Sequence, residues 1–337
     1  MANYPQLDNA SGVWNLRDVY DAVTGGYWPN ANNRAIVAGG FTPSYTSVIS
    51  DFNMASSGTT TSFGSLDIAR GEFGAMSNFT RCVFAGGNET PGGTNSNTLD
   101  YVQFATKGNT ANFGTIGADS QRTQGVGGNA TRGVFTEGTS DTNQIQYITI
   151  NSLGNAVDFG DRTLSGTYAA GVTSPTRTCF GGAFTPSTSN VIDFIEIATT
   201  GNAVDFGDLS NSIRDAGGCS SSTKGVFMAG ITPSYLNVLD LITIASQGNA
   251  TDYGDLTSAA RGNTGVSNSV AGFSCGGETS PAVVETINKF VIATGGTATD
   301  FGDLIEPTKN SASNSAAHGG LNDGYQGTRP IPFNEAG

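Results

Sequence analysis

Residues 201–209 read GNAVDFGDL, and the core of this phrase returns, with small changes, at five other places along the chain. Its aromatic positions are Phe63, Phe113, Phe159, Phe206, Tyr253 and Phe301, spaced 46 to 50 residues apart. A period this regular marks one supersecondary unit per repeat, and units that cannot bury their faces alone must stack on one another. Around the phrase each unit divides into four short runs separated by Gly, Ser, Thr and Asn clusters, the pattern of antiparallel strands and tight turns. Residues 190–198 alternate with period two: Val191, Asp193, Ile195 and Ile197 share one face, and Ile192, Phe194, Glu196 and Ala198 the other. No run within the repeat suits a buried helix. The expectation is an all-β chain of six four-stranded units.

Six such units bury their faces only if they close into a ring, because an open stack leaves apolar faces wet and sheet edges unpaired. The first unit starts at Arg34-Ala35-Ile36-Val37, directly with a second-strand sequence. After the last FGDL phrase, residues 309–314 (KNSASN) repeat the first-strand pattern of residues 262–268. The C-terminal strand therefore completes the N-terminal unit, giving a six-bladed β-propeller over residues 33–320, preceded by a segment 1–32 and followed by a tail 321–337. First strands carry the smallest side chains, as in residues 125–130 (GVGGNA), which suits the crowded axis of a propeller. Phe and Leu of FGDL are expected to fill space between blades.

The composition agrees. Glycine numbers 48 in 337 residues and charged residues make up only 13%, so the chain must form many turns. The formal net charge is -13 and the basic residues form no cluster, which excludes nucleic acid as an expected partner. The same acidity disfavours an anionic bilayer, and no apolar run approaches the ~18 residues of a membrane span. No membrane insertion is expected. The start, MANYPQLDNASGVW, lacks a basic region followed by an apolar core, so a soluble chain not exported by its own signal is expected. Cys82, Cys179, Cys219 and Cys275 have no CxxC spacing and fall in different repeats, which favours buried small hydrophobes over disulfides or metal ligands.

The second run of most units ends in a glycine pair, as in Gly39-Gly40, Gly86-Gly87, Gly181-Gly182 and Gly276-Gly277. The third carries an acidic and an aromatic residue, as in Asp100-Tyr101 and Asp193-Phe194. The fourth carries FGDL, and a basic residue (Arg70, Arg122, Arg214, Arg261 or Lys309) opens the next unit. In these features the chain resembles the kelch repeat, departing from it in using Phe or Tyr where kelch units carry Trp. The resemblance covers roughly residues 33–320 and implies a kelch-like propeller.

Residues 1–32 stand outside the repeat and hold both tryptophans, Trp14 and Trp28. Leu16, Val19, Tyr20 and Val23 fall at i, i+3, i+4 and i+7, one face of a short helix that Asn15 can start and Gly25 can end. Two turns do not persist without a surface to pack on. That surface is either one end of the propeller, with the tryptophans as a plug, or another protein. Residues 11–30 (SGVWNLRDVYDAVTGGYWPN) resemble a stretch of virion proteins of tailed bacteriophages. The phrase GNAVDFGDL likewise resembles virion structural proteins of phages that infect marine cyanobacteria. The resemblance implies a virion protein assembled in the host cytoplasm, with other virion proteins as partners docking on Trp14, Leu16, Val19, Tyr20, Val23 and Trp28.

Chemistry is sparse. His318 is the sole histidine, no motif supplies a nucleophile with an orienting acid, and no zinc pattern exists. No catalytic residue, cofactor or metal site is expected. The pairs Asp158 and Asp161, Asp205 and Asp208, Asp252 and Asp255, and Asp300 and Asp303 place two carboxylates around what reads as one tight turn. Ca²⁺ could sit there, but Asp beside Gly more often bonds its own backbone N–H groups, and a lone turn supplies too few oxygens. Loops joining second to third strands emerge on one face and vary in length and content, as binding loops do. They offer Tyr45, Asn88 and Tyr235 as candidate ligand contacts, with solvated loop residues as the plainer reading. The expected function is a non-enzymatic virion structural or interaction protein, as decoration, fibre or adhesin. The alternatives are a lectin-like propeller that binds a host-surface glycan and a cellular kelch-type scaffold.

Overall fold

The computed structural model describes residues 33–89, 95–120, 123, 125–138 and 142–316. The expected helix over Leu16, Val19, Tyr20 and Val23, both tryptophans, Arg122, His318 and the tail 321–337 lie outside them. What is described is a six-bladed β-propeller, each blade a four-stranded antiparallel sheet.

Counted from the axis outward, the second blade consists of Gly74–Ser77, Arg81–Ala85, Ser96–Gln103 and Ala111–Ser120. The fourth consists of Ala170–Thr173, Arg177–Phe184, Thr188–Glu196 and Val204–Ile213, and the others repeat this plan. The first blade takes its innermost strand from the chain's far end: Ala312–Ser315 pairs with Arg34–Ala38 in the register Ala35 with Ser315 through Ala38 with Ala312. This strand touches both Thr264–Ser267 and Gly74–Ser77, the innermost strands of its two neighbours, so the ring is closed as the sequence pattern requires. Small polar residues pin it: Ser77 Oγ donates to Asn314 Oδ1 at 2.8 Å, and Thr264 and Ser313 hydroxyls bond at 2.8 Å.

The core is divided into layers between blades. Ile36, Ile49, Phe63 and Leu66 meet Phe73, Phe84 and Phe104 between the first and second blades. Their neighbours on the opposite face, Val37 and Phe52, meet Phe273, Phe301 and Leu304 of the sixth. Period-two alternation thus feeds two separate layers from one blade. Phe63, Phe113, Phe159, Phe206 and Phe301 are all buried, as are Leu66, Leu209, Leu256 and Leu304.

The repeated phrase has a clear structural purpose. In Val204–Ile213 the ladder partner of Ile192 is Gly207 and that of Asp193 is Asp205, leaving Phe206 as the extra residue of a β-bulge. The bulge turns the carbonyls of Phe206 and Asp208 toward the fifth blade, where Gly248 N–H (2.8 Å) and Ala250 N–H (2.7 Å) donate to them. Asn249 Oδ1 accepts from the Asp208 N–H at 3.1 Å. GNA of one blade therefore clamps FGD of the preceding one. The aspartate pairs correspondingly flank a bulge on an outer strand, and the tight turn expected for them is absent. The turn pattern and the bulge pattern share Asp-x-Gly, so the sequence alone does not separate them.

A second staple joins the blades near the same edge. Arg81 Nη1 donates to the Ile150 carbonyl of the next blade at 2.9 Å, and Arg132 Nη1 to that of Ile197 at 2.8 Å. Arg34, Arg177 and Lys224 do the same one blade apart. The chain enters the ring at Asn33 and leaves it at Ala316 on this edge, where Ala316 N–H bonds the Arg34 carbonyl at 3.0 Å. The loops that join second to third strands and one blade to the next lie on the opposite face.

Candidate ligand depression at the ring mouth

On that opposite face the connections between blades converge on the axis. Five of them pass, in their described residues, through a residue with positive φ: Glu72 (57°), Tyr168 (63°), Asp215 (56°), Gly262 (62°) and Asn310 (55°). Their backbones form a collar. Asp215 N–H donates to the Tyr168 carbonyl (3.3 Å), Gly262 to Asp215 (2.8 Å), Asn310 to Gly262 (2.7 Å) and Glu72 to Asn310 (2.8 Å). Such a chain of bonds needs each peptide plane to stand along the ring, which the left-handed conformation provides. Below the collar the axis is nearly filled by the small first strands. There a Cβ on Gly171 would stand 2.0 Å from the Val126 carbonyl oxygen.

Above the collar lies a depression of about 300 Å³, lined by Phe41, Tyr45, Glu72, Tyr168, Asp215, Arg261, Lys309 and Asn310. Phe41 and Tyr45 belong to the loop after the second strand of the first blade and meet edge to face at 5.5 Å. The loop folds back as the two-residue pair Phe41–Thr42 and Ser44–Tyr45. The Tyr45 ring leans on Gly71, where an added Cβ would come within 2.7 Å of it.

The cations of the wall are already engaged. Arg261 Nη2 and Lys309 Nζ both donate to Glu278 Oε2 at 2.8 Å, and Arg261 Nη1 stands 3.9 Å from Asp215 Oδ2. Burial works to raise the Glu278 carboxyl, but the hydrogen bonds from Lys309 and Arg261 outweigh it and hold the group below the usual carboxylate range. Lys309 also lies over the Phe41 ring at 5.6 Å, and Arg214 over Phe184 at 4.2 Å and Tyr168 at 5.8 Å. The rim is thus a network of paired charges and cation–π contacts.

The three loop residues singled out from the sequence all fall on this face but do different things. Tyr45 lines the depression. Asn88 is buried and does not; its Nδ2 donates to Glu72 Oε2 at 2.8 Å and so holds that carboxylate in place. Tyr235 stacks beside Arg261 at 5.3 Å, outside the lining. Sequence reading passed over Glu72, Tyr168, Asp215 and Asn310. The available signal was positional: Asp215 and Asn310 directly follow the basic residues Arg214 and Lys309 that open their units. Arg70, grouped with those residues in the sequence, is out of step by one position. It is fully buried between blades, with Nη2 2.7 Å from Asp100 Oδ2.

The remaining candidates are structural in their surroundings. Cys82, Cys179, Cys219 and Cys275 are free and buried, and burial pushes each thiol well above its ordinary pKa. Asp252 and Asp300 accept from the N–H groups of Gly254 (3.2 Å) and Gly302 (3.1 Å) in their own bulges. Among the described residues no three His, Cys, Asp or Glu side chains gather as a metal site, and no helix is long and apolar enough to cross a membrane. No protein-family model matches the chain, and no curated protein matches it.

Proposed function

We propose that the chain is a non-enzymatic structural and interaction protein of a tailed-phage particle, a kelch-like propeller displayed on the virion as decoration, fibre or adhesin. The observation that carries this reading is the division of the ring into two faces. The chain enters and leaves on one, at Asn33 and Ala316, while the variable loops, the collar and the depression occupy the other. A segment attached at the first face and docked on other virion proteins through Trp14, Leu16, Val19, Tyr20, Val23 and Trp28 would hold the second face outward. A closed ring with clamps at every blade junction suits a rigid mount, and rigid mounts carry binding in their loops. Mass spectrometry of purified particles, with copy number, tests the reading: the chain should be present at a fixed stoichiometry, and Trp14→Ala with Leu16→Ala should remove it from particles. A chain missing from purified particles, or a double variant that is incorporated normally, would sink it.

A further inference from the structure

We propose that the depression at the ring mouth binds a neutral saccharide, with Tyr168 and Glu72 as its principal contacts. The inference rests on reading this face as the presenting face, and it names the chemistry presented.

The collar position demands a left-handed backbone, which Gly, Asn and Asp adopt at little cost and larger side chains do not. Three of the five described collar residues obey: Asp215, Gly262 and Asn310. Tyr168 (φ 63°) and Glu72 (φ 57°) do not. The backbone bonds of the collar need neither side chain, and both line the depression, Glu72 accepting from Asn88 and the Tyr168 ring lying beside Arg214. Strain kept for the sake of two side chains that line a depression points to a use for them there.

Phe41, Tyr45 and Tyr168 offer partly exposed aromatic surface beside Glu72, Asp215 and Asn310. Aromatic faces take the C–H side of a sugar ring, and fixed carboxylates accept from its hydroxyls as charge-assisted bonds. Among the described residues the wall carries two cations, Arg261 and Lys309, both bound to Glu278, beside the carboxylates of Glu72 and Asp215. An anionic ligand would face Glu72 and Asp215, and a cationic one Arg261 and Lys309. A neutral polyol meets donors and acceptors already held in place and need break no ion pair. The volume, about 300 Å³, is at the small end of ligand clefts and suits one or two sugar units.

The test is a thermal-shift and calorimetric titration of the full chain. Lactose, maltose and chitobiose serve as probes, with sialyllactose and glucuronic acid as anionic arms and trilysine as a cationic arm. At least one neutral sugar should raise the melting temperature in a dose-dependent way and bind measurably. Tyr168→Asn and Glu72→Asn should each weaken that binding about tenfold or more. Both variants should keep a cooperative melt within a few degrees of the wild type when unliganded, because Asn310 already shows Asn in this conformation and the strain relieved offsets the lost Asn88 and Arg214 contacts. Val270→Ser, on the opposite face, should bind as wild type. The inference is overturned if no neutral sugar binds, if only sialyllactose, glucuronic acid or trilysine binds, or if both collar variants bind undiminished. A chain found in particles that binds no neutral sugar sinks this inference alone. One that binds sugar but is missing from particles sinks the virion reading alone.

Discussion

Arg162→Leu tests how the blades are locked together, because the molecule contains its own reference. Arg162 occupies the Leu position of the FGDL phrase and is buried with Asp193 of the next blade: Nε and Nη2 each stand 3.0 Å from Oδ1. Removing one partner of a buried pair commonly costs about 3–5 kcal/mol, since the other charge is left stranded. Asp193 would not be stranded. Thr163 N–H (2.8 Å) and Thr163 Oγ1 (3.0 Å) already donate to its Oδ2. One blade further on, Leu209 stands in place of the arginine, and Asp240 is held by Ser210 N–H (3.0 Å) and Oγ (2.9 Å) with no cation. The substitution turns the first junction into the second. The expected loss is therefore about 2 kcal/mol, roughly 4 °C in melting temperature for a chain of this size. Arg162→Leu with Asp193→Asn should recover most of it, since Asn288 fills the same position in the sixth blade and accepts from Thr257. Urea melts of the single and double variants decide. A single-variant loss of about 4 kcal/mol or more, or no recovery in the double variant, would refute the claim that the hydroxyl residue suffices.

Deleting residues 309–337 removes the innermost strand of the first blade and exposes the Arg34–Ala38 edge, so the protein should aggregate or lose its cooperative melt; an unchanged melt would disprove closure by this strand. Gly207→Ala should cost about 2–5 kcal/mol, because its φ is 146° and the new Cβ would lie 2.5 Å from the carbonyl oxygen of Gly248, the residue whose N–H makes the clamp. Gly248→Ala, at φ 153° with open space around it, should cost only the conformational part, and equal losses in chemical melts would discount the steric argument. Burial raises the Asp240 carboxyl, opposed by its bonds from Ser210. The native state therefore holds its proton more tightly than the unfolded one, and stability falls as pH rises from the ordinary carboxylate range through the native value. Asp240→Asn should gain about 1 kcal/mol at neutral pH and lose that advantage on acidification, which urea melts across pH can check.

The fold was readable because its cause is periodic. A phrase recurring every 46 to 50 residues, an N-terminal unit short of its first strand and a C-terminal copy of that strand together require a ring. What GNAxDFGD does within the ring was less readable. Asp-x-Gly serves both turn and bulge, and only the partner strand, with Ile192 opposite Gly207 and Asp193 opposite Asp205, distinguishes them. The buried arginines were less readable still. Arg70 and Arg162 reach equivalent aspartates, Asp100 and Asp193, from different positions in their repeats, so no alignment of the units pairs them. The depression was only half visible. Tyr45 could be placed on this face from its loop, but Tyr168 and Glu72 stand out through a backbone conformation that single residues do not announce.

These differences have a common origin in what each position must satisfy. At the outer strand every blade faces the same neighbour in the same geometry, so one solution, a bulge with two exposed carbonyls and a glycine loop to meet them, is repeated six times with little change. Gly64, Gly114, Gly160, Gly207, Gly254 and Gly302 all face the carbonyl of a glycine in the next blade, from 1.9 to 2.5 Å from where a Cβ would be. A phrase under that constraint reports packing, and its occurrence in another chain predicts stacked blades before it predicts a shared role. At the collar the backbone requirement is equally uniform, yet the side chains differ at each described position: Glu72, Tyr168, Asp215, Gly262 and Asn310. Uniform backbone with unlike side chains lets these positions vary without disturbing the ring, and the saccharide site proposed above draws on that freedom at the mouth of the axis.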